Sequence, residues 1–396
     1  MKSQFRGFLF EAKHLTGLRV AAATVAVLLY MEVGAVAQSK STLSALPSTP
    51  QAPKDNPTTP AKVALGRLLF WDPLLSGPQD VACASCHHPQ NGYAEDRDLS
   101  LGVTAIGLGS KRRQAPGSSI PIVKRNSPTV VNIAFSGSDE SGRYDPATAP
   151  MFWDMRVKSL EKQALEPLKA HEEMRGTTYP EDEALARVVA KLQANAEYRS
   201  LFAGAFGSEQ PVSAENLGRA IAAFERTLLA NNSPFDRYMR GDRSAMTEEQ
   251  VSGMRRFESV GCVKCHNGPM FSDYKLHVMG LPDNPALPAS DDGAEKTYAF
   301  RTASLRNLAF TAPYEHNGMF RTLSDVVGFY EDARGGRSRN PNVSSEKLDP
   351  LIRELGDFDE EDVDLVEFLR ALSDDSFDRT IPERVPSGLP VGGRIQ

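Results

Sequence analysis

The chain has 396 residues, a formal net charge of −6 and four cysteines. The acidic balance argues against a nucleic-acid partner, and four cysteines in a chain of this length do not form the dense disulfide framework of small secreted proteins. Once an N-terminal signal and leader are set aside, roughly 330 residues remain, which is more than one compact core usually holds. Two domains are therefore expected.

Residues 1–37 have the form of a secretory signal peptide. A basic segment precedes an apolar run of about 12 residues from Val20 to Met31, too short to span a bilayer. Ala35-Val36-Ala37 is a small-x-small cleavage site ahead of Gln38. Removing the segment takes away four basic and two acidic groups and brings the formal charge to −8. We expect a periplasmic protein, with an uncleaved membrane anchor as the alternative.

The mature chain divides at stretches rich in turn-forming residues. Residues 38–60 are rich in Ser, Thr, Pro and Gln without an apolar period, which predicts a flexible leader. Turn chemistry at Asn231–Pro234 and Arg240–Ser244 sets the boundary between a first domain, residues 61–235, and a second, residues 236–375. A tail over residues 376–396 is expected to pack back on the first domain.

Two pentapeptides contain every cysteine of the chain: Cys83-Ala84-Ser85-Cys86-His87 and Cys262-Val263-Lys264-Cys265-His266. A zinc site usually has about 15–20 residues between its cysteine pairs, whereas 175 residues separate Cys86 from Cys262. A thioredoxin-like pair needs no following histidine. Covalent haem attachment gives every residue a role, because two cysteines add to the porphyrin vinyl groups and the histidine reaches the iron. We predict two haems c with proximal ligands His87 and His266, and assign His88 no role.

Where the sequence is regular, its apolar period is helical. Glu215–Asn231 and Glu361–Leu372 both show amphipathic spacing, and each lies downstream of one CxxCH motif. This pattern is equally typical of a helix that packs over a haem edge and of an ordinary core helix. No convincing alternating strands are found. The predicted class is mainly α, with two cytochrome c-like domains and long irregular loops such as Gly102–Ser127 and Gly280–Glu295.

Three further blocks extend the pattern: Phe152-Trp153-Asp154 followed by Gln163, Pro167 and Glu173-Met174; Arg306-Asn307; and Thr311-Ala312-Pro313-Tyr314-Glu315-His316-Asn317-Gly318. With the two CxxCH motifs, they resemble the bacterial di-haem cytochrome c peroxidases and their relatives of the MauG type. The resemblance runs from about Ala61 to Asp375. It implies two cytochrome c-like domains that meet at an interface, with the N-terminal haem as the one that meets peroxide.

The resemblance also implies catalytic roles. Glu173 matches the acid-base group that moves a proton between the two peroxide oxygens, Gln163 matches a polar group that orients peroxide, and Pro167 shapes the pocket wall. Trp153 matches the tryptophan that relays electrons between the haems. Without the resemblance, Glu173 would be read as a solvated glutamate and Trp153 as a core residue.

Two positions depart from the known peroxidases of the family. In those proteins a histidine on the loop before an RNSP-type motif closes the N-terminal haem until the other haem is reduced. Arg125–Pro128 supplies the RNSP motif here, but no histidine occurs between His88 and His171. We therefore expect an N-terminal haem open to peroxide without reductive activation, with His171 as the nearest residue that could contradict this.

The second departure concerns the distal ligand of the C-terminal haem. The peroxidases have a methionine fourteen residues after the histidine of the HxG motif, and the same count from His316 reaches Tyr330. MauG-type relatives have a ligating tyrosine at this place. Tyr330 is therefore expected on the second iron, with Met319 or a purely structural Tyr330 as alternatives. A phenolate favours higher oxidation states, and methionine raises the potential.

The resemblance further implies a calcium ion bound by Asn126, Thr311 and Pro313, whose oxygen donors suit this cation. The expected function is reduction of hydrogen peroxide with electrons from a small cytochrome c, from a cupredoxin or from an oxidised protein side chain. A homodimer is among the assemblies that the resemblance allows. The alternative from another class is a di-haem electron-transfer cytochrome without peroxidase turnover.

Overall fold

The computed structural model describes residues 42–207 and 209–396. The signal peptide expected over residues 1–37 lies outside the described residues. The α-helices are α1 (Pro60–Trp71), α2 (Leu160–Gln163), α3 (Glu166–Lys169), α4 (Ala184–Ala194), α5 (Ala196–Phe206), α6 (Ala214–Glu225), α7 (Pro234–Met239), α8 (Glu248–Ser259), α9 (Leu323–Arg334) and α10 (Val363–Ala371). None of these described helices is long and apolar enough to cross a bilayer.

Strands in the described part of the chain are short and form three separate two-stranded antiparallel ladders. The pairs are β1 (Ala105–Ile106) with β2 (Arg113–Gln114), β3 (Pro150–Met151) with β4 (Val157–Lys158), and β5 (Leu276–Val278) with β6 (Ala299–Arg301). Runs of two or three residues are too short to show a period of two in the sequence. The structure is thus mainly α with long irregular connections, as predicted.

In the first half of the chain, α1 crosses α6 at Gly66. A Cβ atom at Gly66 would lie 2.0 Å from the carbonyl oxygen of Ala220, so glycine permits an approach that any other residue would prevent. The Thr59 side chain caps α1 by accepting the amide of Lys62. The core around the crossing is formed by buried apolar side chains, including Leu65, Leu69, Phe70, Leu217, Ile221 and Phe224.

The second half of the chain repeats this arrangement with α8 and α10. A Cβ atom at Gly253 would lie 1.9 Å from the carbonyl oxygen of Asp364, so the two helices again touch through glycine. Four phenylalanine rings pack around the crossing at centroid distances of 5.1 to 6.1 Å: Phe235, Phe257, Phe271 and Phe368. The chain passes from the first core to the second between Ala230 and Phe235.

Both predicted helices are present, but each is shorter than the segment over which the apolar period was found. The helix predicted over Glu215–Asn231 ends at Glu225, and Leu228 keeps the apolar spacing because a turn returns it to the core. The helix predicted over Glu361–Leu372 begins at Val363, because the Asp362 side chain caps it by accepting the amide of Leu365.

Residues 42–60, predicted as part of a flexible leader, are instead packed on the protein. Leu43 and Leu46 are each 2% exposed, and Leu43 belongs to the second core. The Leu46 amide donates to the Asp236 carboxylate at 2.9 Å. The composition of the segment did not predict this packing, because two leucines make the contact and the rest of the segment is polar and rich in proline.

Residues 376–396 pack on the first core and contact the first CxxCH turn. Phe377 and Val385 are buried in the first core. The Ser85 hydroxyl, between the two cysteines, donates to the carbonyl oxygen of Gly392 at 2.8 Å. The Arg394 amide donates to the carbonyl oxygen of Asp80 at 2.9 Å. The tail thereby holds the backbone on which the first pair of thiols is mounted.

Candidate functional site

The two CxxCH motifs fold into the same local turn. Cys83–Ser85 and Cys262–Lys264 each form one 3₁₀ turn. In both, the histidine amide donates to the carbonyl oxygen of the first cysteine at 2.9 Å, from His87 to Cys83 and from His266 to Cys262. This closure brings two thiols and one imidazole together on a single turn. None of the four thiols is in a disulfide.

Both imidazoles are oriented by a backbone carbonyl. Nδ1 of His87 lies 3.1 Å from the carbonyl oxygen of Tyr93, and Nδ1 of His266 lies 2.9 Å from that of Phe271. A proton on Nδ1 donated to a carbonyl leaves the Nε2 lone pair for a metal. Burial lowers the pKa of both histidines, which keeps them in the neutral form that ligates iron.

Each turn faces its own cavity. Cys83, Cys86 and His87 border what we call the N-terminal cavity, and Cys262, Cys265 and His266 border the C-terminal cavity. The four thiols therefore do not converge on one zinc ion. Burial raises the pKa of both Cys83 and Cys262 to about 12, so these two thiols are protonated near neutral pH. Paired thiols beside a neutral imidazole in a largely apolar cavity fit a covalently held haem.

The two cavities share a wall. Asn126, Trp153 and Arg301 border both of them. The indole N–H of Trp153 donates to the carbonyl oxygen of Asn126 at 3.0 Å, and the Trp153 side chain is buried. Trp153 therefore lies between the two cavities with its ring fixed by a hydrogen bond.

The predicted acid-base group and its neighbours meet in the N-terminal cavity. Glu173, Gln163 and Pro167 all border it. Burial, together with the charge of Glu172, raises the pKa of Glu173 to about 7, while Arg156 opposes the shift. A carboxyl group with a pKa near neutrality can both accept and return a proton. The irregular helix His171–Arg175 carries Glu173 and its neighbour Glu172.

Among the described residues, His87 is the one histidine that borders the N-terminal cavity. His171 is outside the cavity lining. His88 makes contacts within the fold instead: its Nδ1 accepts the Gln90 amide at 3.2 Å, and its ring lies edge-on to that of Trp71. The described lining thus contains no second histidine that could close the distal face.

Tyr330 borders the C-terminal cavity from α9. Burial, with a smaller effect of the Glu315 charge, holds the pKa of the Tyr330 phenol well above its usual value. Met319 does not border this cavity, whereas Met270 and Met279 do. The phenol is therefore a side-chain oxygen available to a metal bound on this side.

The three residues expected to bind calcium, Asn126, Thr311 and Pro313, all border the C-terminal cavity. The Asn126 side chain donates through Nδ2 to the carbonyl oxygen of Arg97 at 2.7 Å. The same Asn126 supplies the carbonyl that fixes Trp153.

Two residues of the site belong to motifs noted in the sequence but were given no role of their own. His316 stacks on Phe300 with a centroid distance of 3.6 Å and lies edge-on to Trp153 at 6.4 Å. Arg125 binds Asp291 through Nε at 2.6 Å and Asp154 through Nη1 at 2.7 Å. The HxG and RNSP motifs contain His316 and Arg125, but their partners lie far away in sequence.

Comparison with known proteins agrees with this geometry. The family described as di-haem cytochrome c peroxidase matches residues 60–244. The methylamine utilization protein MauG of Methylorubrum extorquens is 35% identical over 85% of this chain and 85% of that protein. The cytochrome c551 peroxidase of Pseudomonas aeruginosa is 34% identical over 73% of this chain and 77% of that protein. The chain belongs to the di-haem cytochrome c peroxidase family.

A solved structure supports the same family assignment. A MauG-like protein associated with microbial copper homeostasis matches with a TM-score of 0.66 and 30% identity, over 84% of this chain and 95% of that one. The peroxidase therefore belongs to the MauG-like branch, has cytochrome c-like domains and is an oxidoreductase acting on peroxide. Family membership implies haem c as its cofactor.

The pKa of Glu173 predicts a pH dependence. We expect the carboxylate to accept the proton from peroxide, so the rate of reaction with peroxide should rise with pH through about 7 and level off above it. Glu173→Gln should slow the reaction by roughly 100-fold or more and flatten this profile. As a matched control, Glu172→Gln should lower the midpoint and keep the plateau, because it removes only the neighbouring charge. Stopped-flow absorbance at the Soret band measures both, and a Glu173→Gln profile with the same step would contradict the assignment.

Proposed function

We propose that the protein is a periplasmic peroxidase with two covalently bound haems c. Thioethers from Cys83 and Cys86 hold one haem, whose iron takes His87, and the second CxxCH turn holds the other through His266. The observation that supports this most strongly is the repetition of one turn geometry, with thiols and a carbonyl-oriented histidine, at two separate cavities. Haem iron supplies the centre at which peroxide is reduced.

The residues of the N-terminal cavity supply proton transfer. Glu173 takes the proton from the inner peroxide oxygen and returns it to the outer one, so that water can leave. Gln163 orients peroxide by hydrogen bonding, and Pro167 limits the space around it. The burial of Glu173 supports this role, because it keeps the carboxyl group near the balance point between its two forms.

Trp153 carries electrons across the shared wall. Reduction of one peroxide takes two electrons, and charge exchange between the two cavities would let both haems supply them. Among the described residues, Trp153 is the aromatic side chain that borders both cavities, and its N–H bond to Asn126 fixes the orientation of the ring. Calcium bound by Asn126, Thr311 and Pro313 would stiffen this wall, since Asn126 is also the partner of the indole.

The electron source is a small cytochrome c, a cupredoxin or a protein side chain that becomes oxidised. Tyr330, which borders the C-terminal cavity, is in keeping with the last of these if it is the distal ligand of the second haem. A phenolate ligand stabilises oxidised iron, which suits storage of oxidising equivalents better than it suits simple scavenging.

An open N-terminal haem distinguishes this enzyme from an electron-transfer cytochrome. The all-ferric protein should show a high-spin EPR signal and should react with micromolar hydrogen peroxide before any reductant is added. His171→Ala should leave the signal unchanged, because this side chain lies outside the cavity lining. A fully low-spin resting protein that becomes high-spin only after half-reduction would show that a histidine closes the site.

Replacement of Tyr330 tests its ligation. Tyr330→Phe removes the oxygen and keeps the ring volume, so packing should change little. The second haem should change spin state or take a replacement ligand such as Met279, visible by EPR and magnetic circular dichroism. Met319→Ala is the matched control and should leave both spectra unchanged. An intact low-spin spectrum in Tyr330→Phe would make Tyr330 a packing residue and the enzyme an ordinary cytochrome c peroxidase.

A further inference from the structure

A buried histidine in the second half of the chain has both ring nitrogens bound to carboxylates. His277 lies on β5 and borders the C-terminal cavity. Its Nδ1 lies 2.7 Å from an oxygen of Asp349, and its Nε2 lies 3.1 Å from an oxygen of Asp273. The side chains of His277, Asp273 and Asp349 are 7, 5 and 19% exposed. We call these three residues the Asp–His–Asp cluster.

These hydrogen bonds determine the charge of the imidazole. A neutral ring has one N–H and donates to only one carboxylate, whereas an imidazolium donates from both nitrogens. The hydrogen bond to Asp273 raises the pKa of His277 to about 11, with contributions from Cys265 and Asp349, while burial opposes the shift. The cluster therefore contains one positive and two negative groups, and its net charge is negative.

The cluster lies against the second pair of thiols. The Sγ atom of Cys265, a carboxylate oxygen of Asp273 and a ring nitrogen of His277 all lie within 4.8 Å of one another. The Asp273 amide also donates to the carbonyl oxygen of Cys265 at 2.8 Å. None of the three cluster residues is part of the described lining of the N-terminal cavity. The electrostatic effect of the cluster should therefore be confined to the group held at Cys265.

Further hydrogen bonds fix the two carboxylates in place. Oδ1 of Asp273 accepts the Thr302 hydroxyl at 2.8 Å and the Lys275 amide at 3.0 Å. The Asp349 amide donates to the carbonyl oxygen of Val278 at 2.9 Å, which holds this residue beside β5. Fixed charges in a site with little water act on a neighbouring charge much more strongly than charges in solvent do.

We propose that the Asp–His–Asp cluster sets the reduction potential of the C-terminal haem alone, with its two carboxylates lowering that potential and His277 raising it. The inference rests on the proposed attachment of haem at Cys262 and Cys265. Ferric iron carries one more positive charge than ferrous iron, so a nearby carboxylate favours the ferric state and a nearby cation favours the ferrous state. Because the net charge of the cluster is negative, its combined effect favours the oxidised form of the C-terminal iron.

The test is spectroelectrochemical titration of the holoprotein at pH 8. Asp349→Asn keeps an oxygen that accepts from His277 and removes a negative charge, so the potential of the C-terminal haem should rise. His277→Gln keeps a side-chain donor and removes the positive charge, so the same potential should fall. Each change should be roughly tenfold in the ferric–ferrous equilibrium, about 59 mV for a one-electron couple.

The opposite signs separate an electrostatic role from a structural one. A variant that merely disturbs the attachment turn has no reason to shift the potential in the direction of the charge that was removed. The N-terminal haem should keep its wild-type potential in both variants. Shifts of the same sign, or equal shifts at both haems, would overturn the proposal.

Lys275→Gln is the matched control. Its ammonium lies 4.0 Å from a carboxylate oxygen of the same Asp273, but the Lys275 side chain is 74% exposed. Water and salt screen an exposed charge, so both haem potentials should stay near their wild-type values. A shift as large as that of His277→Gln would show that surface charge in general sets the potential, which contradicts the role of the buried cluster.

Haem counts and a third variant keep the test decisive. Pyridine haemochrome counts the haems in each sample, so two haems with unshifted potentials would refute the role of the cluster and leave the proposed function intact. If His277→Gln does not accumulate, Asp273→Asn is measured beside Asp349→Asn. Both should raise the potential of the C-terminal haem, and a fall or no change in either would refute the inference.

Discussion

The arrangement of the whole site depends on how one indole ring is held. The N–H of Trp153 donates to the carbonyl oxygen of Asn126 at 3.0 Å, from the first half of the chain. The carbonyl oxygen of the same tryptophan accepts the Arg301 amide at 2.7 Å, from the second half. A buried N–H without its acceptor would cost about 1–3 kcal/mol, so the first contact holds the ring within the first half, and the second contact ties this segment to the second half.

Ion pairs also connect the two halves of the chain near the wall that the two cavities share. Arg125 contributes from the first half and binds Asp291 of the second half through two nitrogens, at 2.6 and 3.0 Å. Its guanidinium also lies 5.3 Å from the centroid of Phe300, which stacks on His316. Removing one member of such a pair leaves a buried charge uncompensated, so the interface tolerates little displacement. A rigid wall is what electron transfer between two fixed cofactors requires.

The sequence predicted the parts of this site that are local. A CxxCH turn is specified within five residues, and both turns have the same hydrogen bonds. The amphipathic periods located α6 and α10, although capping by Asp362 and the turn at Leu228 moved their ends. Glu173, Gln163 and Trp153, singled out by the family resemblance, all border the N-terminal cavity, and their catalytic roles stay predictions.

The features that the sequence did not predict depend on contacts between residues that are distant along the chain. Arg301 looks like any surface cation until β6 places it between two cavities, and His316 gains its stacking partner from that same strand. The packing of Leu43 and Leu46 depends on residues far along the chain, such as Asp236, and no period within the segment predicts it.

The proposed attachment of one covalent haem to each of the two equivalent turns is tested most directly by haem stoichiometry, measured by denatured mass and pyridine haemochrome. The mature protein should retain two haems after denaturation. Replacing Cys83 and Cys86 together by alanine should remove one haem, and replacing Cys262 and Cys265 together should remove the other. A wild-type protein with a single haem, or with haem that acid acetone extracts, would contradict the account.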